Sequence, residues 1–124
     1  MISGIGQDII EVDRVAQKIG KEKGFREMVF SKNEIRYCES KPNKFQHYAA
    51  RFAAKEAFFK AIGTGWKNGT AFNEVEVFHQ EEGRPGISLL GKTAETLAGM
   101  NTNKIFVSIS HLRSMASAVV VIED

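Results

Sequence analysis

The chain has 124 residues, of which 43% are hydrophobic, 26% charged and 10% aromatic. That is ordinary globular usage with room for one domain over 1–124, and it excludes a wholly disordered chain. One cysteine, Cys38, excludes an internal disulfide framework and a cysteine-based zinc cluster, while two prolines among eleven glycines exclude collagen-like sequence.

The longest purely apolar run is Ala118 to Ile122, far short of the about 20 residues a membrane span needs. Asp8 interrupts the N-terminus before any signal-like apolar stretch forms. A cytoplasmic chain with no membrane partner is expected. Net charge is +2, too small to demand a nucleic-acid partner, but its distribution is uneven. From Arg14 to Lys44 there are nine Lys and Arg against four Glu. Such a lobe suits an acidic partner or a polyphosphate; it is also what a solvated face looks like. Aromatic interleaving on it is thin (Phe25, Phe30, Tyr37), and no RNA-binding signature appears.

In chain order, Ile2 to Ile10 reads as a strand. Gly4, Gly6, Asp8 and Ile10 share one of its faces, so the surface beside the carboxylate is small. Glu11 to Ile19 predicts a short helix, and Gly20 and Gly24 bracket a break. Ser31-Lys32-Asn33-Glu34 has capping-box spacing and predicts a second helix. After Pro42 a long helix is expected from Asn43 to Ile62, with Phe45, Ala49, Phe52, Glu56 and Phe59 on one stripe and Gly63 as its C-cap. Phe72 to Phe78 reads as a strand, Glu82 to Gly86 as a turn, and Ile87 to Leu90 as a returning strand. Lys92 to Ala98 reads as a helix. Ile105 to Ser110 and Ala116 to Ile122 read as strands, the second apolar on both faces and therefore central. The order predicts an α+β domain: a mainly antiparallel sheet packed against one long helix and several short ones.

Glu56 is the most informative residue. A carboxylate in an apolar stripe costs free energy unless it is paired, protonated or bound to a cation. Lys60, one turn on, could make an ordinary helix pair with it. Asp8 is a poor strand residue, and it could cap the helix that follows. Two carboxylates from different elements, with no Cys or His cluster, would suit a hard ion such as Mg²⁺. Lys60 to Gly65 sets a lysine beside an amide-rich turn. That is reasonable phosphate chemistry but not a P-loop, because the lysine precedes the glycines. No spacing supports a Ser/His/Asp triad.

These residues fall into ordered motifs. The segment 4–14 (GIGQDIIEVDR) resembles the N-terminal signature of the holo-acyl-carrier-protein synthases. Phe30 to Glu34 resembles their second motif, and 51–65 (RFAAKEAFFKAIGTG) their third. Gly83-Arg84-Pro85 resembles their turn before a short strand. Ser108-Ile109-Ser110-His111, with Ala116 and Ala118, resembles their C-terminal signature.

The resemblance implies a 4′-phosphopantetheinyl transferase-like fold and a Mg²⁺-dependent transferase of fatty-acid biosynthesis. Such an enzyme moves the 4′-phosphopantetheine arm of coenzyme A onto a serine of apo acyl carrier protein and releases adenosine 3′,5′-bisphosphate. It also implies a homotrimer with active sites between subunits. By the same resemblance, Asp8 and Glu56 hold Mg²⁺, and Lys60 and Glu56 act in catalysis. Coenzyme A would meet Arg51, Lys55, Lys60, Gly63, Thr64, Gly65, Arg84, Pro85 and His111. Arg14, Lys18, Lys21 and Arg26 would face the acidic carrier. The serine proton could pass to a metal-bound water or to Glu56; both remain open.

Overall fold

The computed structural model describes residues 1–63, 68–100, 102 and 104–124. Its elements run β1 (Ile2–Glu11), α1 (Val12–Lys21), α2 (Phe25–Val29), α3 (Lys32–Glu39), α4 (Lys44–Ile62), a 3-10 turn at Phe72–Glu74, β2 (Val75–His79), β3 (Pro85–Leu89), α5 (Gly91–Thr96), β4 (Lys104–His111) and β5 (Met115–Glu123). Among these residues the sheets are wholly antiparallel: β5 lies between β1 and β4, and β2 pairs with β3 in a separate hairpin. The central place of β5 follows from its composition. Ala116, Ala118, Val120 and Ile122 are buried under α4, and the alternate residues are only half covered. None of the described helices is long and apolar enough to cross a membrane.

α4 is a spine rather than a surface helix. The stripe expected through Phe45, Ala49, Phe52, Glu56 and Phe59 widens into burial on most sides. Two clusters meet on it. Ala53, Ala57 and Phe58 pack with Val75, Val77, Ile87 and Val120, while Tyr48, Ala49 and Ala50 pack with Val15, Phe30 and Cys38. Small residues dominate α4 because two layers press against it at once.

The glycines of β1 set the closest of these contacts. A Cβ on Gly4 would fall on the Ala61 carbonyl oxygen. One on Gly6 would fall on the Ala57 carbonyl oxygen and lie 2.6 Å from the Ala61 amide nitrogen. Only a strand without side chains there can lie so close, and that closeness brings Asp8 to the last two turns of α4. Gly6→Ala is expected to cost about 2 kcal/mol, by overpacking against immobile backbone. Urea denaturation measures it, and unchanged stability would mean the strand can move away freely.

The local signals were obeyed with few departures. Ser31 Oγ accepts from Glu34 N at 3.2 Å, and Glu34 Oε1 accepts from Ser31 N at 2.8 Å, completing the capping box. Gly63 ends α4 with φ of 80°. Within the break expected near Gly24 the chain makes α2, whose five residues are too few to display helical periodicity. Phe72 to Glu74, expected as strand, form a 3-10 turn, and the strand begins at Val75. Cys38 is fully buried, and burial pushes its thiol up to about 12, so it is inert.

Candidate active site

β1 runs directly into α1, and Val12 N donates to Ser114 O at 2.9 Å at the junction. That bend folds α1 back over the end of β1. The result is a cleft of about 510 Å³ between β1, α1 and α4, lined by Asp8, Glu11, Arg14, Lys18, Phe52, Glu56 and Lys60 together with Ile9, Ile10 and Met115. Phe52, Glu56 and Lys60 succeed one another at i, i+4 and i+8 along a single face of α4.

Lys60 Nζ donates to Asp8 Oδ1 at 3.0 Å and to the Gln7 carbonyl oxygen at 2.9 Å. Its side chain is 54% exposed, whereas that of Asp8 is 17% exposed. Asp8 thus faces Lys60 rather than capping α1, whose N-cap Glu11 makes no side-chain cap bond. Glu56 is half-buried. Burial first, and then the charge of Asp8, raise its carboxyl above the usual carboxylate range; Lys60 and Lys18 oppose the shift. Two close carboxylates, one held reluctantly as an anion, favour a cation between them. Their hard oxygen donors fit Mg²⁺, which takes a few carboxylates and completes its shell with water and substrate phosphate.

Arg14 and Lys18 stand one turn apart on the wall of the same cleft. Lys18 Nζ lies 5.6 Å from the Phe25 ring centre, a cation–π seat. Lys21 is exposed on the last turn of α1, outside the cleft. Arg26 is engaged by Glu27 at 2.7 Å and Glu39 at 3.3 Å. Glu11 and Phe52 are cleft residues that sequence reasoning did not select. The continuous passage from β1 to α1 was the available signal for Glu11, and the i, i+4 relation to Glu56 was the signal for Phe52.

Residues expected together around coenzyme A separate in space. Lys55 is the clearest correction. Its side chain is fully buried, and Nζ donates to Glu34 Oε1 at 2.7 Å, Phe72 O at 2.8 Å and Val75 O at 2.6 Å. It binds α4 to α3, to the 3-10 turn and to β2, and its ammonium is sealed from solvent. Arg51 is also buried. It stacks on Tyr37 with 4.2 Å from guanidinium carbon to ring centre and donates from Nη2 to His79 Nδ1 at 3.4 Å, while its Nε has no partner among the described residues. It lines a second pocket of about 340 Å³ with Asn33, Tyr37, Glu76 and His79 rather than the Asp8 cleft. His111 ends β4, with Nδ1 2.8 Å from Gln46 Oε1 and its ring 5.3 Å from that of His47. Burial, helped by the charges of His111 and Arg51, pushes the His47 imidazole down to about 4, so it is neutral at physiological pH. His111 lines a third pocket, of about 310 Å³, that shares Ile9 and Met115 with the cleft. Arg84 and Pro85 sit at the β2–β3 turn, outside the cleft. Gly63 is exposed at the end of α4; Thr64 and Gly65 lie outside the described residues.

A carboxylate pair, a lysine and two further cations around one polar cleft define a site for phosphoryl chemistry, carried on an α+β domain with a helical spine. Residues 4–115 match the model of the 4′-phosphopantetheinyl transferase superfamily, and the chain belongs to that family. It is 50% identical over 121 residues to the holo-[acyl-carrier-protein] synthase of Ruminiclostridium cellulolyticum, covering 95% of this chain and 90% of that one. The crystal structure of the Neisseria meningitidis holo-[acyl-carrier-protein] synthase superposes with a TM-score of 0.90 at 28% identity, covering all of both chains. That of Helicobacter pylori, in complex with coenzyme A, superposes with a TM-score of 0.81 at 30% identity over 96% of this chain and 99% of the other.

Proposed function

We infer that this chain, acting as a single domain over 1–124, carries out the reaction its relatives are named for. It transfers the 4′-phosphopantetheine of coenzyme A to a serine of apo acyl carrier protein. The serine O–H bond breaks, its proton passing to Glu56 or to water, and the oxygen forms a bond to the phosphorus next to the pantetheine arm. The bond from that phosphorus to the bridging oxygen breaks, and adenosine 3′,5′-bisphosphate leaves. The observation that carries this reading is the convergence of Asp8, Glu56 and Lys60 in one cleft.

Phosphoryl transfer needs positioning and charge neutralisation more than covalent help. Asp8 and Glu56 are the residues to hold Mg²⁺, which when bound neutralises pyrophosphate charge. Lys60 brings a mobile ammonium to the developing charge on the leaving group. Phe52, Ile10 and Met115 give the cleft an apolar wall that strengthens each of these interactions by limiting water. Arg14 stands at the cleft where an acidic carrier would approach. Arg14→Glu is expected to raise the KM for carrier about tenfold with little change in the KM for coenzyme A, as loss of a steering charge would do. Equal effects on both would sink this assignment.

Assembly is part of the proposal. Arg51 lines a pocket that shares no residue with the Asp8 cleft, so one coenzyme A reaching both is best served by two neighbouring chains. The sheet face opposite α4 supplies a surface for them. Ile5, Val121 and Phe106 stand in one cross-strand row, with Ile5 63% and Phe106 51% exposed. Ile9 continues the patch at 65% exposure. An uncovered apolar patch of this kind fits association with further copies into a trimer. Ile5→Asp is expected to yield monomers by light scattering and to abolish transfer; a fully active monomer would refute the shared site.

Intact-protein mass spectrometry tests the reaction itself. An apo acyl carrier protein incubated with this chain, coenzyme A and Mg²⁺ should gain one phosphopantetheine, and EDTA should prevent it. No gain, on a carrier that another transferase loads, would overturn the reading.

A further inference from the structure

The position of Lys60 says more than its charge does. Its ammonium sits at hydrogen-bond distance from two oxygens, Asp8 Oδ1 at 3.0 Å and Gln7 O at 2.9 Å. These are hard oxygens of the kind a small divalent cation takes, and a cation on Asp8 would stand against the ammonium at a distance where like charges repel strongly. Lys60 is also easy to move. It hangs from the last turn of α4 on a flexible stem, more than half exposed, and its ion pair with Asp8 is of the weak surface kind. Glu56, one turn earlier, faces the same place from a more buried position.

We propose that Lys60 is a built-in placeholder for the divalent cation: Asp8 holds either the ammonium or the ion, and the ion's arrival releases Lys60 toward the substrate phosphate. The inference rests on the Asp8–Glu56 metal reading above. It gives one lysine two successive partners. Before the ion binds, Lys60 compensates Asp8 directly, while Lys18 faces Glu56. After the ion binds, the same charge becomes available to the pyrophosphate. Metal binding and phosphate capture are then linked, and by reciprocity each favours the other.

The test is binding of Mn²⁺, read by electron paramagnetic resonance on protein without coenzyme A or carrier. Lys60→Met and Lys60→Ala should each bind Mn²⁺ about five- to tenfold more tightly than the wild type, since a competing and repelling charge is gone. Both should lose transfer activity. Lys60 is exposed, so both variants should fold, as circular dichroism will confirm. Equal or weaker Mn²⁺ affinity in the two variants would overturn the placeholder role. Asp8→Asn separates the two ideas. Wild-type-like Mn²⁺ binding by Asp8→Asn, or no specific binding by any of these proteins, would show that the metal reading itself has failed.

Discussion

Glu56→Gln should reduce transfer about a thousandfold, the scale of losing one charge-stabilising group, and should at the same time raise the melting temperature of the metal-free protein. The second effect is the more diagnostic. Glu56 is half-buried, and both its burial and Asp8 disfavour its charge. A group whose folded pKa lies above its unfolded one contributes stability at low pH and loses it as pH rises through the folded value. The wild type without metal should therefore weaken as Glu56 ionises, above the ordinary carboxylate range, while Glu56→Gln should not. The two proteins should melt together at acid pH and separate by about 3 °C near neutrality, which corresponds to about 1 kcal/mol. Added Mg²⁺ should close the gap by stabilising only the wild type. A variant that melts below the wild type at neutral pH would return Glu56 to a structural role.

Much of this site is legible in the sequence, because its signals are local. Gly4, Gly6 and Asp8 alternate on one strand face, and that pattern announces a close neighbour beside a carboxylate. Glu56 breaks an apolar stripe, and Ser31 and Glu34 carry the spacing of a cap. What could not be read is where distant partners fall. Lys55 and Lys60 are both lysines on α4, and nothing within the helix says which is buried. The answer lies in Glu34, 21 residues away, and in the carbonyls of Phe72 and Val75. Arg51 poses the same problem: its burial depends on Tyr37 and His79, brought in by α3 and β2. Arg14 and Lys18 reach the cleft only because the turn from β1 to α1 bends as it does. The local +5 of 14–44 therefore contains cations in different situations: Lys18 faces Glu56, whereas Arg26 is neutralised by Glu27 and Glu39.

The buried pair deserves its own experiment, because it decides whether the third motif is read correctly. Lys55→Met should lose about 3–5 kcal/mol in urea denaturation, since it leaves the Glu34 carboxylate charged and unpaired in the core. Desolvation lowers the Lys55 pKa, and the charge and hydrogen bond of Glu34 oppose that shift. The carboxylate has further duties: Glu34 Oε1 accepts from Ser31 N, and Oε2 accepts from Val77 N at 2.9 Å. Glu34→Gln combined with Lys55→Met should recover part of the loss, because it removes the unpaired charge while the amide oxygen still accepts from one of these two backbone groups. The double-mutant coupling then measures the pair itself. Molecules of Lys55→Met that remain folded should show the wild-type KM for coenzyme A, because the ammonium is enclosed by protein. A stable Lys55→Met protein with a raised KM for coenzyme A would place the lysine in the binding site and would mean that α4 rotates when substrate binds.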